Sequence, residues 1–334
     1  MTPGELTLFG SSDHAQALAD RALSDRTRDR LERSVPENTR RAYARQWTQF
    51  ANWCAAQGRT DLPATGHTLA EYTGHLADLD RAPATIEQAI AAVRTAHRTA
   101  GYRQQPDTCD ALAVLKVHKQ DRAEAGKRKR KAPPVTLEPL RAMVETTDPG
   151  TLAGKRDRAL LVLGFAMMAR RSELAVLRIA DIRFTDDGLT VTVRASKTDQ
   201  DAEGVEVNIP AGVHPDTDPV RVVRAWLASL AGLGVTGGSL LRSVDRWGRL
   251  GASMTGEAVN EAVQRRAATA GLEDAGAYSA HGLRAGGPTE AARAGHPVSF
   301  IAEHGRWSKS SPVVYEYVRA VDKWRDNPMR GIGL

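Results

Sequence analysis

The chain has 334 residues, enough for two domains with separate cores, and its 41% hydrophobic content is ordinary for a globular protein while its 5% aromatic content is low. Even the apolar run Leu160–Ala169 is too short to span a bilayer, no secretory signal is expected at the start, and two cysteines, Cys54 and Cys109, exclude a disulfide framework or a thiolate metal cluster and fit a reducing cytoplasm. The formal net charge of +6 is concentrated: residues 36–132 hold 16 Lys and Arg against 10 Asp and Glu, the whole of the excess, as expected of a surface that meets a polyanion.

Residues 1–34 read as an N-terminal extension, in which Leu18, Leu23 and Leu31 among alternating acids and bases make a charged helix suited to a packing or subunit contact. A longer helix follows, with Asn38 as its N-cap and Tyr43, Trp47, Phe50, Ala51 and Cys54 as one apolar stripe. Arg41, Arg45 and Thr48 share another face, available to a polar partner. The helix Thr85 to about Thr99 buries Ile86, Ile90, Val93 and His97. Gln88 on it has two readings: it closes a capping box, Thr85-Ile86-Glu87-Gln88, or it reads adenine in a major groove.

Gly126-Lys127-Arg128-Lys129-Arg130-Lys131-Ala132-Pro133-Pro134 joins five consecutive bases to a Pro pair. Such a run repels itself into an extended form. It serves as a solvated tether or as a strap across phosphates. Residues 126–134 thus link a helical domain, 35–125, to a second domain, 135–334.

The second domain reads as mostly helical with one small antiparallel sheet. Ala159–Met168, without a polar side chain, is a helix buried all round. Ile182–Phe184, the Asp186-Asp187-Gly188 turn and Leu189–Val193 form a hairpin, and Val205–Ile209 adds a third strand. Helices are expected at about 218–232, 256–270, 288–294, 297–304 and 312–323, with Pro297 and Pro312 at first-turn positions.

Four segments carry chemistry. Arg170-Arg171-Ser172-Glu173 follows the buried helix, so Arg170 stands on a rigid support and Glu173 is placed to steady it. Ala195-Ser196-Lys197-Thr198-Asp199 puts a lysine between two strands. In His281-Gly282-Leu283-Arg284 the His and Arg share one face of a helical turn and can reach one phosphate, Arg as fixed charge and His as proton carrier. Gly305-Arg306-Trp307 precedes Tyr315-Glu316-Tyr317-Val318-Arg319, and on a Val-rich helix a Tyr is either core or nucleophile.

Taken singly, each segment has a bland reading as a cap, a surface charge or a core aromatic. Their order, Arg, Lys in a hairpin, HxxR, Trp, then Tyr near the C-terminus, resembles the tyrosine recombinase family. The likeness extends over nearly everything after residue 35. It implies a mainly α fold with a small antiparallel sheet in a two-domain, C-shaped DNA clamp, whose first domain is the family's core-binding type. It implies that Arg170 and Arg284 clamp the scissile phosphate, Lys197 protonates the leaving 5′ oxygen, His281 assists proton transfer, Trp307 takes the position of a family His, and Glu173 supports. Tyr317 is the implied nucleophile, giving a 3′-phosphotyrosine and a Holliday junction without metal or other cofactor. The implied partner is double-stranded DNA with inverted-repeat sites, synapsed by a homotetramer in the cytoplasm at the nucleoid.

Three positions depart from the family pattern: Ala169 stands where Gly is frequent, Pro288 follows Arg284 by four residues and is expected to delay or kink the helix, and Trp307 to Tyr317 is one residue longer than the pattern. Tyr315 is the competing register. The 34 residues before the first domain are too few for a further folded domain, which favours a simple recombinase. Arg40, Arg41, Arg45, Thr85 and Gln88 are its candidate DNA face in the first domain, with Lys127, Arg128, Lys129, Arg130 and Lys131 in the strap and a helix near Thr255 in the second. Rival readings are a type IB topoisomerase-like or telomere-resolving enzyme, or a non-catalytic DNA-binding protein.

Overall fold

A computed structural model of the chain describes residues 24–127, 132–194, 204–308, 311–322, 329 and 331–332. The chain divides into two compact units between residues 129 and 130. Thirteen α-helices, two short 3₁₀ turns and one three-stranded sheet make up the described residues. None of these helices is long and apolar enough to cross a membrane.

The first unit is all helical: α1 (Asp25–Ser34), α2 (Glu37–Ala56), α3 (Gly66–Asp78), α4 (Pro83–Thr99) and α5 (Cys109–Glu124). Its core gathers Phe50, Cys54, Leu69, Tyr72, Ile86, Ile90, Val93 and Leu115, with Trp47 and Trp53 at the edge. Burial pushes the Cys54 thiol up to about 11, which makes it a packing residue and a poor nucleophile. His97 is fully buried; its Nε2 accepts the Ala64 N–H at 2.8 Å, leaving Nδ1 to donate to the Val93 carbonyl at 2.8 Å.

Two caps fall elsewhere than expected. Helix α2 starts at Glu37 after Pro36, so Asn38 is its second residue and does not cap it. Helix α4 starts two residues early because Pro83 occupies its first position, where a missing N–H costs nothing. Thr85 is then inside the first turn, and the capping box with Gln88 does not form. Gln88 Oε1 instead accepts from Gln46 Nε2 at 3.3 Å, joining α4 to α2.

The second unit contains α6 (Leu137–Glu145), α7 (Leu152–Ala166), α8 (Arg171–Val176), β1 (Ile182–Phe184), β2 (Gly188–Val193), β3 (Val205–Pro210), α9 (Pro219–Gly232), α10 (Gly256–Thr269), α11 (Ala280–Arg293), α12 (Val298–His304) and α13 (Pro312–Asp322). The strands pair antiparallel in the order β1-β2-β3, with Phe184 opposite Leu189 and Val193 opposite Val205. Ala159–Leu163 of α7 are all buried, so this helix is the axis on which α6, α9, α10 and α11 pack.

The helix expected at 288–294 begins eight residues earlier, at Ala280, and runs through Pro288. Proline removes one intrahelical bond, and close packing outweighs that loss. A Cβ on Gly286 would lie 1.8 Å from the Val135 carbonyl oxygen, and one on Gly287 would lie 2.7 Å from Met168 Cγ. These glycines seat α11 directly against the segment at Val135 and the end of α7. Val135 N–H also bonds to the Gly282 carbonyl at 2.9 Å.

A buried ion cluster ties α10 to α7. The Asp157 carboxylate, fully buried, accepts from Arg156 Nε at 2.6 Å, Arg265 Nη2 at 3.1 Å and Arg266 Nε at 2.8 Å. Removing the acceptor leaves the buried Arg156 cation and the largely covered Arg266 uncompensated, so Asp157→Ala is expected to lower the unfolding free energy by about 3 kcal/mol. Urea denaturation of the purified chain checks this, and an unshifted midpoint would show the cluster to be energetically neutral.

Candidate active site

The site is built where three separated stretches of the second unit meet. Helix α7 ends at Ala166, and Met168 turns the chain with a left-handed φ of 48°. Ala169 is fully buried, and Arg170 becomes the N-cap of α8. Glu173, one turn on, folds back: its Oε2 accepts the Arg170 backbone N–H at 2.9 Å and its Oε1 accepts Arg170 Nη1 at 2.7 Å. Arg170 is therefore held by Glu173 and is not a solvated surface charge. Arg171, the next residue, does lie at the surface, paired with Glu257 at 3.1 Å.

The second stretch is the first turn of α11. Ser279 caps it by accepting the Gly282 N–H at 3.3 Å, and Asn260 Oδ1 of α10 accepts the Ala280 N–H at 3.1 Å. His281 lies on the exposed side of this turn, whereas Arg284 is buried. Arg284 donates through Nη1 to the Met168 carbonyl and through Nη2 to the Gly305 carbonyl at 2.7 Å. It therefore binds the α7 corner to the third stretch, the turn after α12.

In that turn a Cβ on Gly305 would overlap the Trp307 ring at 1.7 Å, so only glycine lets the indole fold back. The Arg284 guanidinium carbon then sits 4.1 Å from the Trp307 ring centroid, a cation–π contact. Val314 of α13 is buried with Met168, Ala292 and Ile301. Tyr317, one turn further, consequently faces inward: its Oη lies 3.4 Å from His281 Nε2 and its ring 5.8 Å from that of Trp307. Tyr315 points elsewhere and is 45% exposed.

Electrostatics follow from this packing. Burial, and next the neighbouring Arg170 cation, lower the Arg284 guanidinium to about 9, which leaves it charged at neutral pH. Burial alone would raise the Glu173 carboxyl, but Arg306 and the hydrogen bonds from Arg170 outweigh it and hold the group below the ordinary carboxylate value. Three guanidinium groups around one carboxylate leave a surplus of positive charge with fixed direction, which is what an entering phosphate requires.

Arg170, Glu173, His281, Arg284, Trp307 and Tyr317 thus come together. Lys197, in the connection between β2 and β3, lies outside the described residues, as do Arg128, Lys129, Arg130 and Lys131. Lys127 pairs with Asp80 at 2.7 Å. In the first unit Arg40, Arg41 and Arg45 are exposed on α2, the first two near Glu37 at 3.8 and 3.3 Å; Thr85 and Gln88 are half-buried on α4. Thr255 caps α10, accepting the Ala258 N–H at 3.1 Å. The residue that sequence reasoning missed is Arg306, buried against Glu173 with Nη2 to Oε2 at 2.7 Å. Nothing local in Gly305-Arg306-Trp307 distinguishes a buried arginine from a surface one.

Residues 135–323 match the phage integrase family. The chain belongs to that family, the tyrosine recombinases. It is 31% identical over 308 residues to the integrase/recombinase xerD homolog of Selenomonas ruminantium, across 92% of this chain and 89% of that one. It is 24% identical over 314 residues to the recombinase Cre of Escherichia phage P1, across 90% and 88%. The fold is also similar to that of the Tn1549 transposon integrase in complex with transposon right end DNA, with a TM-score of 0.58 at 14% identity over 87% of this chain and 94% of that one. The mainly helical fold and family membership expected from the ordered motifs are both borne out.

Because the folded-state pKa of Glu173 is depressed, its contribution to stability is complete above the unfolded carboxylate value, about 4.3, and is lost as pH falls through the folded value. Glu173→Gln should be less stable than the parent tyrosine recombinase at pH 7, and the gap should narrow below about pH 4. Urea midpoints of both proteins across that range check this; a gap independent of pH would remove the ionised carboxylate from the account.

Proposed function

We propose that this tyrosine recombinase cuts and rejoins DNA at specific sites through Tyr317. The observation that carries the reading is the Tyr317 Oη to His281 Nε2 approach of 3.4 Å, on the same helical turn as the buried Arg284 cation and beside Trp307. A contact of this length between nucleophile and base is expected to tighten in the complex with a phosphate.

Arg170 and Arg284 receive the non-bridging oxygens of the scissile phosphate and stabilise the charge that grows in the transition state. Tyr317 Oη attacks phosphorus as its proton passes to His281. The bond from phosphorus to the 5′ oxygen breaks, Lys197 protonates that oxygen, and a 3′-phosphotyrosine remains. A free 5′ hydroxyl from the partner strand reverses the step, so one phosphodiester replaces another and no nucleotide is consumed. Trp307 shields the cation and packs the nucleophile, and Glu173 holds Arg170.

The substrate is double-stranded DNA with inverted-repeat sites, held by a homotetramer that passes through a Holliday junction. Arg40, Arg41, Arg45, Thr85 and Gln88 form the DNA face of the helical domain, residues 35–125, and the basic linker 126–134 straps the backbone before the catalytic domain, 135–334. The enzyme acts in the cytoplasm at the nucleoid, without metal or other cofactor.

A pool of random-sequence duplexes nicked near their centres traps the intermediate, because the short cleaved strand diffuses away. The wild type should form a protease-sensitive covalent adduct in EDTA without nucleotide. Tyr317→Phe should bind the pool and form none, whereas Tyr315→Phe should keep cleavage; the reverse pattern moves the nucleophile by two residues. Adduct formation that needs added metal for chemistry would defeat the mechanism.

Phosphate contacts release counterions, so affinity should fall steeply with salt. Replacing Lys127, Arg128, Lys129, Arg130 and Lys131 by Gln should flatten the log–log slope by about 0.9 per lost contact and weaken binding equally on all sequences. An unaltered slope in anisotropy titrations would reduce the segment to a spacer.

A further inference from the structure

The residue at the centre of the site that the proposed chemistry does not use is Arg306. Its side chain is 3% exposed, and its charge is taken up by the Glu173 carboxylate rather than offered to a phosphate. Nη2 meets Glu173 Oε2 at 2.7 Å, and Nη1 donates to the Met167 carbonyl at 3.1 Å and the His304 carbonyl at 3.2 Å. One guanidinium thereby fastens the end of α7, the end of α12 and the carboxylate that orients Arg170.

The backbone underlines the point. Arg306 has a left-handed φ of 56°, a conformation in which any residue but glycine is strained. A glycine would sit there at ease and would leave the turn free to form. The strain is tolerated where the side chain brings something the turn needs, and what it brings is a second cation on Glu173. With Arg170 alone, the carboxylate could rotate toward the phosphate position and compete with substrate for Arg170. With Arg306 on Oε2, Glu173 is held from both sides and Arg170 is left with one direction to face.

We propose that Arg306 is a positioning residue for strand cleavage, acting through Glu173 to orient Arg170 and through its neighbour Trp307 to seat Arg284. The inference rests on the recombinase reading above. Its effect belongs to the rate of the chemical step and not to DNA affinity, since its guanidinium is engaged by Glu173 and by the Met167 and His304 carbonyls.

The test uses the full chain and the same nicked-duplex pool. First-order adduct formation is measured at saturating protein, binding by anisotropy, and folding by thermal unfolding, for the wild type, Arg306→Gly, Arg306→Lys, Glu173→Gln and the double variant Glu173→Gln with Arg306→Gly. Arg306→Gly removes the strain along with the cation. It should bind within about 3-fold of wild type yet cleave on the order of 100-fold more slowly, the scale of a misplaced catalytic group. Arg306→Lys, which keeps a charge but not the fork, should recover part of the rate. The double variant should be no slower than the slower single variant, because both changes break the same connection. If either Arg306 variant folds and cleaves at the wild-type rate, or if the two losses multiply in the double variant, Arg306 does not act through Glu173. If both Arg306 variants lose thermal stability but cleave normally per folded molecule, the residue is structural only, and the inference fails. Wild-type protein that forms no adduct would instead overturn the recombinase reading, and this inference with it.

Discussion

One buried carboxylate organises the site. Glu173 accepts Arg170 on one oxygen and both the Arg170 N–H and Arg306 on the other. A carboxylate this deep would be expelled or neutralised if unpaired. Guanidinium groups this close would repel one another without it, and Arg284 feels that repulsion. Each charge is tolerable only because of the others. The arrangement leaves a surplus of cation aimed at one place, so the polarity of the site exists before any substrate arrives.

The scaffold supports this cluster through backbone carbonyls as much as through side chains. Arg284 and Arg306 donate to Met167, Met168, His304 and Gly305 carbonyls left without helical partners where α7 and α12 end. Helix ends and arginines satisfy each other, which fixes the corner that presents Arg170 and the turn that presents Trp307. Small residues do the rest: Gly286 and Gly287 let α11 approach, and Gly305 lets the indole fold over Arg284.

Much of this was legible in the residues. The first-domain stripe follows from periodicity and the hairpin from its Asp-Asp-Gly turn, whereas the apolar run Ala159–Met168 marks only the buried part of α7, which starts earlier, at Leu152, and ends at Ala166 before the turn at Met168. The residues that meet around Glu173 and Arg284 stand out in the sequence only as an ordered set, since each motif alone also fits a surface charge or a core aromatic. The start of α11 is hidden in the sequence because Pro288 argues locally against a helix, while the glycine contacts that hold the helix in place are tertiary. The caps at Asn38 and Thr85 failed because proline set the helix starts first. Arg306 carries no local signal, since its burial depends on a carboxylate 133 residues away in sequence. Tyr317 rather than Tyr315 approaches His281 because burial of Val314 sets the rotation of α13.

A phosphate held by these converging side chains would meet the Tyr317 hydroxyl. Isolating the covalent protein–DNA adduct, digesting it with trypsin and nuclease, and locating the retained nucleotide by fragment mass spectrometry identifies the oxygen that attacks. The tryptic peptide Ser310–Arg319 contains both candidate tyrosines. The expected result is a 3′-phosphonucleotide on the Tyr317 oxygen alone; the same mass on Tyr315, or on a residue outside this peptide, would rule out Tyr317 as the nucleophile.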